Sequence, residues 1–456
     1  MKFCTLSLFL IFCSLLPSTG FSQSPPEQFF ELGNAKAKSG DFIGAIGNYS
    51  MVIAANAENA PSYFNRGFAK ANLKDHRGAI QDYDKAIQIN PNESLYYESR
   101  GVSKSALDDH TAALQDYARA IELNPDQPKA YYNRGVSYAK LNNPTLAIKD
   151  LNKANELDPN DIATLYARGN CKQSLRDYAG SLEDFSRVVD LSPKRTGAYG
   201  GRGLARLELG DFKGAVADFS KALELSPNES FFYNNRGYAK NKLKDYDGAI
   251  QDYNKTLQLD PENYTAYYGR GFAKNKLNDH TGSISDMDAA IRIKNKYIVI
   301  EDKKSRKSSK EVVPNLGPLD KSTLDQFRNQ IEINNIIIPI SNVRAEAYFI
   351  RGLSKAKSSN FNGALEDYTM AIELSPTFTN AFFARGILKS QEDNQQGAVL
   401  DFSSAIRITE NFKESYYIRG LVKLNLGEVN DGCLDLSTAG EMGYQQAYNA
   451  IVTYCN

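Results

Sequence analysis

The residues best equipped for chemistry in this 456-residue chain recur together along its length. An arginine followed by glycine stands at Arg66, Arg100, Arg134, Arg168, Arg202, Arg236, Arg270, Arg351, Arg385 and Arg419. A lysine follows four residues later at Lys70, Lys104, Lys172, Lys240, Lys274, Lys355, Lys389 and Lys423. An aspartate follows each arginine by sixteen, from Asp82, Asp116, Asp150, Asp184, Asp218, Asp252 and Asp286 to Asp367, Asp401 and Asp435. Guanidinium and carboxylate groups at fixed spacing can pair in planar, bidentate fashion or offer a charged stripe to an acidic partner. Because the charges repeat with the chain itself, a partly buried ladder of Arg to Asp pairs between packed helices is the expected use.

The other reactive residues do not form a catalytic set. His76, His110 and His280 occupy one equivalent position, directly after an aspartate, where other copies carry Phe42, Tyr178, Phe212, Tyr246 or Phe361, so each replaces a packing aromatic. Neither a metal cluster nor a Ser/His/Asp arrangement is suggested. The 32 glycines are distributed with the repeat and form no phosphate-cradling loop. The chain reads as non-enzymatic, with no cofactor and no metal.

All but one of the gaps between the Arg-Gly pairs are 34 residues, which means one helical unit stacked on copies of itself. From Ala60 to Glu93, Tyr63, Phe64, Gly67, Ala71 and Leu73 give the apolar spacing of a first helix, broken at Lys74-Asp75. Asp75 can cap a second helix carrying Ala79, Ile80, Tyr83, Ala86, Ile87 and Ile89, which Asn90-Pro91 stops. Asp41, Asp109, Asp177, Asp211, Asp245 and Asp279 repeat the cap. Gly67 and its equivalents mark the close approach of the two helices, opposite Ala79, Ala113, Ala147, Ala215, Ala249, Ala364 and Ala398. The 54 basic residues balance 54 acidic ones, which argues against a chain held to nucleic acid or anionic lipid by long-range attraction.

The order Tyr63, Gly67, Ala79, Tyr83, Ala86, Pro91 resembles the tetratricopeptide repeat, and about eleven copies cover almost all of the chain after its first residues. The resemblance implies an all-α, right-handed superhelical solenoid of antiparallel helix pairs, first helices lining a concave groove, and a role as an interaction scaffold. It departs from the family pattern in placing Arg before the glycine, Lys four residues on and Asp on the second helix.

Function is expected where copies differ. One groove position reads Phe30, Phe64, Glu98, Tyr132, Tyr166, Gly200, Asn234, Tyr268, Phe349, Phe383 and Tyr417, a mostly aromatic column that either covers helix contacts or grips an extended peptide or a sugar chain. Phe68, Asn170, Tyr238 and Phe272 are neighbouring groove candidates, and Asn241, Lys242, Asn275 and Lys276 form a polar cluster that either holds a carboxylate or is simply solvated. The expected partner is a protein or extended peptide, with no nucleic acid; a carbohydrate or cell-wall glycan is the alternative that the aromatic column motivates.

The ends and one interruption complete the organisation. Lys2, the apolar run from Phe3 to Leu16 and the small residues to Ser22 read as a secretory signal peptide over 1–22, too short to span a bilayer, so an exported, periplasmic or secreted chain without membrane insertion after cleavage is expected. Repeats one to eight then occupy 23–298, an insert 299–344, repeats nine to eleven 345–443 and a capping helix 444–456. The insert, which adds 47 residues between Arg270 and Arg351, begins as a solvated basic loop with Lys303, Lys304, Arg306, Lys307 and Lys310 and continues into a short helix from Thr323 to Ile333. It reads as a decayed repeat, a hinge or a docking loop. Cys171 stands where other copies carry Ala or Ser and is a small buried filler, while export permits Cys433 and Cys455 to pair. On the cap, Met442, Tyr444, Ala447, Tyr448, Ile451 and Val452 share the inward side.

Overall fold

The structure, a computed structural model, describes residues 25–308, 343–392 and 394–455, and no strand occurs among them. The signal-peptide segment, the expected helix from Thr323 to Ile333 and the apolar run from Ile336 to Ile340 lie outside the described residues. The first helices and their partners are α1 (Pro25–Ser39) with α2 (Phe42–Ala55), α3 (Ala60–Asn72) with α4 (His76–Ile89), α5 (Ser94–Ala106) with α6 (His110–Leu123), and α7 (Pro128–Lys140) with α8 (Pro144–Leu157). There follow α9 (Ile162–Ser174) with α10 (Tyr178–Leu191), α11 (Thr196–Glu208) with α12 (Phe212–Leu225), α13 (Ser230–Lys242) with α14 (Tyr246–Leu259), and α15 (Tyr264–Lys276) with α16 (His280–Ser308). Last come α17 (Val343–Lys357) with α18 (Phe361–Leu374), α19 (Thr379–Gln391) with α20 (Gln395–Ile408), α21 (Lys413–Asn425) with α22 (Val429–Glu441), and the single α23 (Gln445–Tyr454). Contacts divide the chain into two compact units, Met1–Gly201 and Arg202–Asn456.

Local chemistry sets each hairpin. The Asp75 carboxylate accepts from the Gly78 amide at 2.9 Å and so satisfies a free amide at the start of α4. Asp41, Asp109, Asp177, Asp211, Asp245 and Asp279 do the same, and Asn143, Asn360 and Asn394 substitute for them in the same role. Between paired helices one residue turns left-handed, and the amide after it closes the first helix, as Asp75 does on the Lys70 carbonyl at 3.0 Å. Glycine holds that position at Gly210 (φ 79°), but Lys74 (φ 68°) and Arg176 (φ 61°) hold it elsewhere at a cost of about 1 kcal/mol each. A Cβ added to Gly67 would lie 2.8 Å from the Tyr83 ring, so the helices of a pair meet at glycine because nothing larger fits.

The charged ladder is the main tie within each pair. Arg66 donates through Nε and Nη2 to both Asp82 oxygens, at 2.9 and 2.6 Å, and Lys70 adds its amine at 2.7 Å. Asp82 is 3% exposed, so this fork is a partly buried ion pair rather than a surface one. The same pairing recurs from Arg100 with Asp116 to Arg419 with Asp435. The lysines, for which the sequence offered no partner, are the second cation on eight of the aspartates, while Arg206 takes that place on Asp218.

The third guanidinium nitrogen reaches the preceding pair. Arg66 Nη1 donates to Ser50 at 3.1 Å, Arg100 to Asp84 at 2.6 Å, Arg236 to Ser220 at 3.1 Å, Arg270 to Asn254 at 2.6 Å and Arg419 to Ser403 at 2.9 Å. Each such arginine therefore joins two repeats. An aromatic three residues earlier faces the guanidinium, as Tyr63 does 5.5 Å from Arg66.

The insert does not interrupt the stacking in the second unit. Arg351 Nη1 meets Asp288 at 2.5 Å, Tyr268 donates to Glu346 at 2.6 Å, and Met287, Ile291, Ala347 and Ile350 share one core. The eighth and ninth pairs thus touch as neighbours, while residues 309–342 of the insert lie outside the described residues. Where a loop was expected from residue 299, α16 instead continues as helix to Ser308.

At the C-terminal end Cys433 and Cys455 are joined by a disulfide. Tyr444 packs on Tyr417 at 4.8 Å as Phe412 packs on Phe383. Val452, expected on the packed side, is 69% exposed; Ala447 and Ala450 are buried, and Tyr448, though 48% exposed, donates to the Gly440 carbonyl at 2.8 Å.

Two stability outcomes follow from these ties. Asp218→Ala leaves Arg202 and Arg206 without their shared carboxylate and is expected to cost about 3 kcal/mol, against under about 0.5 kcal/mol for the exposed Glu224→Ala, both read by urea denaturation. Cys455→Ser frees a 22-residue loop and is expected to remove about 3 kcal/mol from the last repeat, seen as faster amide exchange in α22 and α23 than elsewhere.

Candidate partner-binding site

Within each unit the first helices of successive pairs touch one another, α1 with α3, α3 with α5 and α5 with α7 in the first unit and α13 with α15 and α15 with α17 in the second. In each unit these first helices share a face. Three columns of side chains on it differ from repeat to repeat, and their contacts differ as well.

The aromatic column occupies the joints. Phe64 is 8% exposed, sits 5.7 Å from Tyr83 of its own pair and stacks at 5.0 Å on Tyr96 of the next. Phe349 lies 5.8 Å from Tyr368 and 4.9 Å from Phe378, and Phe383 lies 5.7 Å from Phe402 and 4.8 Å from Phe412. Tyr132 packs against Ala147, Leu151 and Cys171, and Tyr166 lies edge-on to Phe185 with the Arg195 guanidinium 4.4 Å above its ring. Tyr268 gives its hydroxyl to Glu346, and burial with that carboxylate holds its phenol well above the usual range. A rigid ring at this position fills the angle between a pair and its successor. The expected partner-gripping rings Phe64, Tyr132, Tyr166, Tyr268, Phe349 and Phe383 are thus repeat-to-repeat packing.

Two of the expected polar candidates are likewise structural. Asn241 is buried and donates to the Gly269 carbonyl at 3.0 Å and to Tyr253 at 3.2 Å. Asn275 donates to Ser354 at 2.7 Å, and Ser354 in turn meets Ser283 at 3.1 Å. Both amides bond to the next repeat, Asn241 to its backbone and Asn275 to a hydroxyl, and Asn241 also bonds Tyr253 of its own pair. Cys171 is free and buried as expected of a filler, its thiol pushed up to about 11 by burial.

The remaining candidates stay accessible. Asn170 in the first unit is exposed, and Phe68 is half-buried. In the second unit Lys242 is exposed with its amine 5.3 Å from the centre of the Tyr238 ring, and Lys276 repeats this 5.4 Å from Phe272. Phe272 is also edge-on to Tyr246 at 6.4 Å. Successive repeats therefore present the same unit, a half-buried ring topped by an ammonium group. A cation held over a ring is fixed in place at a gain of about 0.5–1 kcal/mol, and the ring beside it offers apolar surface. Chemically this suits an anionic group flanked by apolar side chains. Sequence spacing pointed to these four residues, but only their ring contacts and exposure separate them from Asn241 and Asn275.

Among the described residues, no group of His, Cys, Asp and Glu could hold a metal ion, and no helix is long and apolar enough to cross a membrane. His110 bonds Ser105 within its own turn.

Comparison with known proteins returns the repeat. Sequence models described as tetratricopeptide repeat match residues 60–93, 128–161 and 230–263 and, separately, 166–230, and one described as TPR repeat matches 106–142. No curated protein matches the chain. Among solved structures, the C-terminal part of a TPR repeat-containing protein from Cytophaga hutchinsonii is 20% identical, covering 53% of this chain and 98% of that one at a TM-score of 0.44. Yeast Tom70 is 15% identical over 94% of this chain and 95% of its own, with a TM-score of 0.39. YrrB, described as a TPR protein with an unusual peptide-binding site, is 22% identical over 39% of this chain and 92% of its own, with a TM-score of 0.36. The same caps, close-contact glycines and Arg–Asp rungs run through the matched stretches and on into the pairs beyond them, and the chain is a tetratricopeptide repeat protein.

Proposed function

We propose that the chain is a non-enzymatic protein-interaction scaffold of the cell envelope or secreted space, and that it takes an extended, acidic peptide segment of its partner on the first-helix face of the second unit. The observation that carries this reading is the repeated pair of ring and ammonium, Tyr238 with Lys242 and Phe272 with Lys276. Binding energy in such a patch comes from apolar side chains covering the rings, and selection for acidic partners comes from the two amines. Balanced net charge supports recognition by this local patch rather than by the field of the whole molecule. The description of YrrB as having a peptide-binding site is consistent with this class of partner.

Export is supported by Lys2 with the apolar run Phe3 to Leu16, and by the Cys433–Cys455 disulfide, a bond that persists in oxidising compartments. The packing of the aromatic column in the joints between repeats favours the peptide reading over the glycan alternative.

Selection from a random peptide library by the chain from residue 23 tests the reading. Recovered peptides are expected to carry Asp or Glu beside apolar residues, to bind more weakly as salt rises, and to lose about tenfold or more in affinity to Lys242→Glu/Lys276→Glu, whose exposed side chains leave the fold unchanged. Peptides without acidic bias, or equal binding by the variant, would overturn the proposed site. Fractionation of the native chain with the cytoplasm would overturn the proposed compartment.

A further inference from the structure

The joint between the α5–α6 pair and the α7–α8 pair differs from its neighbours in three independent ways. First, Glu98 stands in the aromatic column, where Phe64 and Tyr132 stand on either side, and it is 6% exposed. Its carboxyl is held by the side-chain amide of Gln127 and by Asn133 Nδ2 at 3.3 Å, both from the following repeat. No ion pair closes on it among the described residues, whereas every buried aspartate of the ladder has a guanidinium.

Second, the arginine that should clamp this joint does not reach across it. Arg134 bonds Asp150 through Nε and Nη2, but residue 118 in the preceding helix is alanine, where Ser50, Asp84 and Asn152 accept the third arm at other joints. Asp150 also lacks a second cation, because Tyr138 takes the place of the lysine. Third, Gln127 Oε1 is buried without a partner. A protonated carboxyl can donate to that oxygen once the amide turns over; an ionised one cannot, and must rely on two amide donors alone.

We propose that this joint is a proton-operated hinge, closed while the Glu98 carboxyl is protonated and loosened when it ionises. A buried carboxylate without a cation is costly, and the cost is relieved either by protonation or by opening the joint to water. Burial pushes the Glu98 carboxyl up to about 7, with Lys129 of α7 opposing the rise. The native state therefore keeps its proton after the unfolded or opened chain has lost it, so stability of the closed joint falls as pH rises from the ordinary carboxylate range to about 7 and levels off above it.

The other ionisable groups of the elements packed here leave Glu98 as the group that responds. On α6, Tyr117 is kept neutral by burial, and Asp116 is occupied by Arg100 and Lys104. On α3 and α4, Tyr83 is kept neutral by burial, Asp82 is occupied by Arg66 and Lys70, and Asp84 is held by Arg100. On α7 and α8, Lys129 opposes the rise and Arg134 is paired with Asp150. Tyr96 of α5 and Tyr132 of α7 are pushed up by burial, and His110, whose side-chain type ordinarily changes charge in this pH range, is bonded to Ser105, which also meets Ser137 of α7 at 3.3 Å. A variant at Glu98 separates its contribution from that of His110.

Hydrogen exchange of the chain from residue 23, corrected for intrinsic rates, tests the hinge between pH 5 and 8. Opening in α5 and in the first turn of α7 is expected to rise with pH by up to about tenfold per unit until about pH 7, while α13 and α15 show no such change. Glu98→Gln, which keeps the shape and cannot ionise, is expected to abolish the rise, and Glu98→Phe, which restores the column residue, to do so as well. A wild-type joint that does not respond, or a response that persists in either variant, overturns the proposal.

Discussion

The fold depends on one guanidinium used three ways. In most repeats the arginine before the close-contact glycine fills its Nε and Nη2 with a buried aspartate of its own second helix, spends Nη1 on the preceding repeat, and lies against an aromatic ring. Burial makes this tie strong in the sense that matters here: removing either partner leaves a charge out of water without compensation. A planar fork also fixes orientation, which a lysine amine could not do. The small core of each pair, built largely from alanine and single rings, would by itself allow sliding between helices. The fork sets the angle within a pair and the offset between pairs at once.

That constraint explains why the aromatic column belongs to the architecture. Once the arginine fixes the spacing of successive pairs, the wedge between first helices needs a filler of constant size, and Phe64, Phe349 and Phe383 supply it by touching both their own second helix and the start of the next repeat. Departures from the column are then informative. Asn234 is accommodated through Thr265, and Glu98 through Gln127 and Asn133, each at the cost of buried polar groups. The first is neutral; the second carries a titratable proton.

Some variation is not needed by the architecture, and the proposed recognition patch is drawn from it. Lys242 and Lys276 neither join the ladder nor span repeats, and their rings Tyr238 and Phe272 stay half-buried. The insert is a second such departure, since Arg351 with Asp288 and Tyr268 with Glu346 close the stack as though residues 309–342 were not there.

The 34-residue period, the capping aspartates, the glycine–alanine contact and the pairing of arginine with aspartate were all legible in the sequence, because each is local or repeats in phase and needs no knowledge of what lies across a joint. The period-matched cysteine substitution at Cys171 was legible for the same reason. What the sequence could not rank was direction. A residue on a first helix looks the same in one dimension whether it faces a ligand or the next repeat, and Phe64 was indistinguishable from Phe68 on spacing alone. Tertiary structure decided that Phe64, Asn241 and Asn275 point into joints while Lys242 and Lys276 remain in water, that the third guanidinium arm crosses to the preceding pair, and that two cysteines 22 residues apart meet at the end of the stack. The physical reason is that joints are made of contacts between residues about 30 apart, and only the packed helices determine which of two faces meets them.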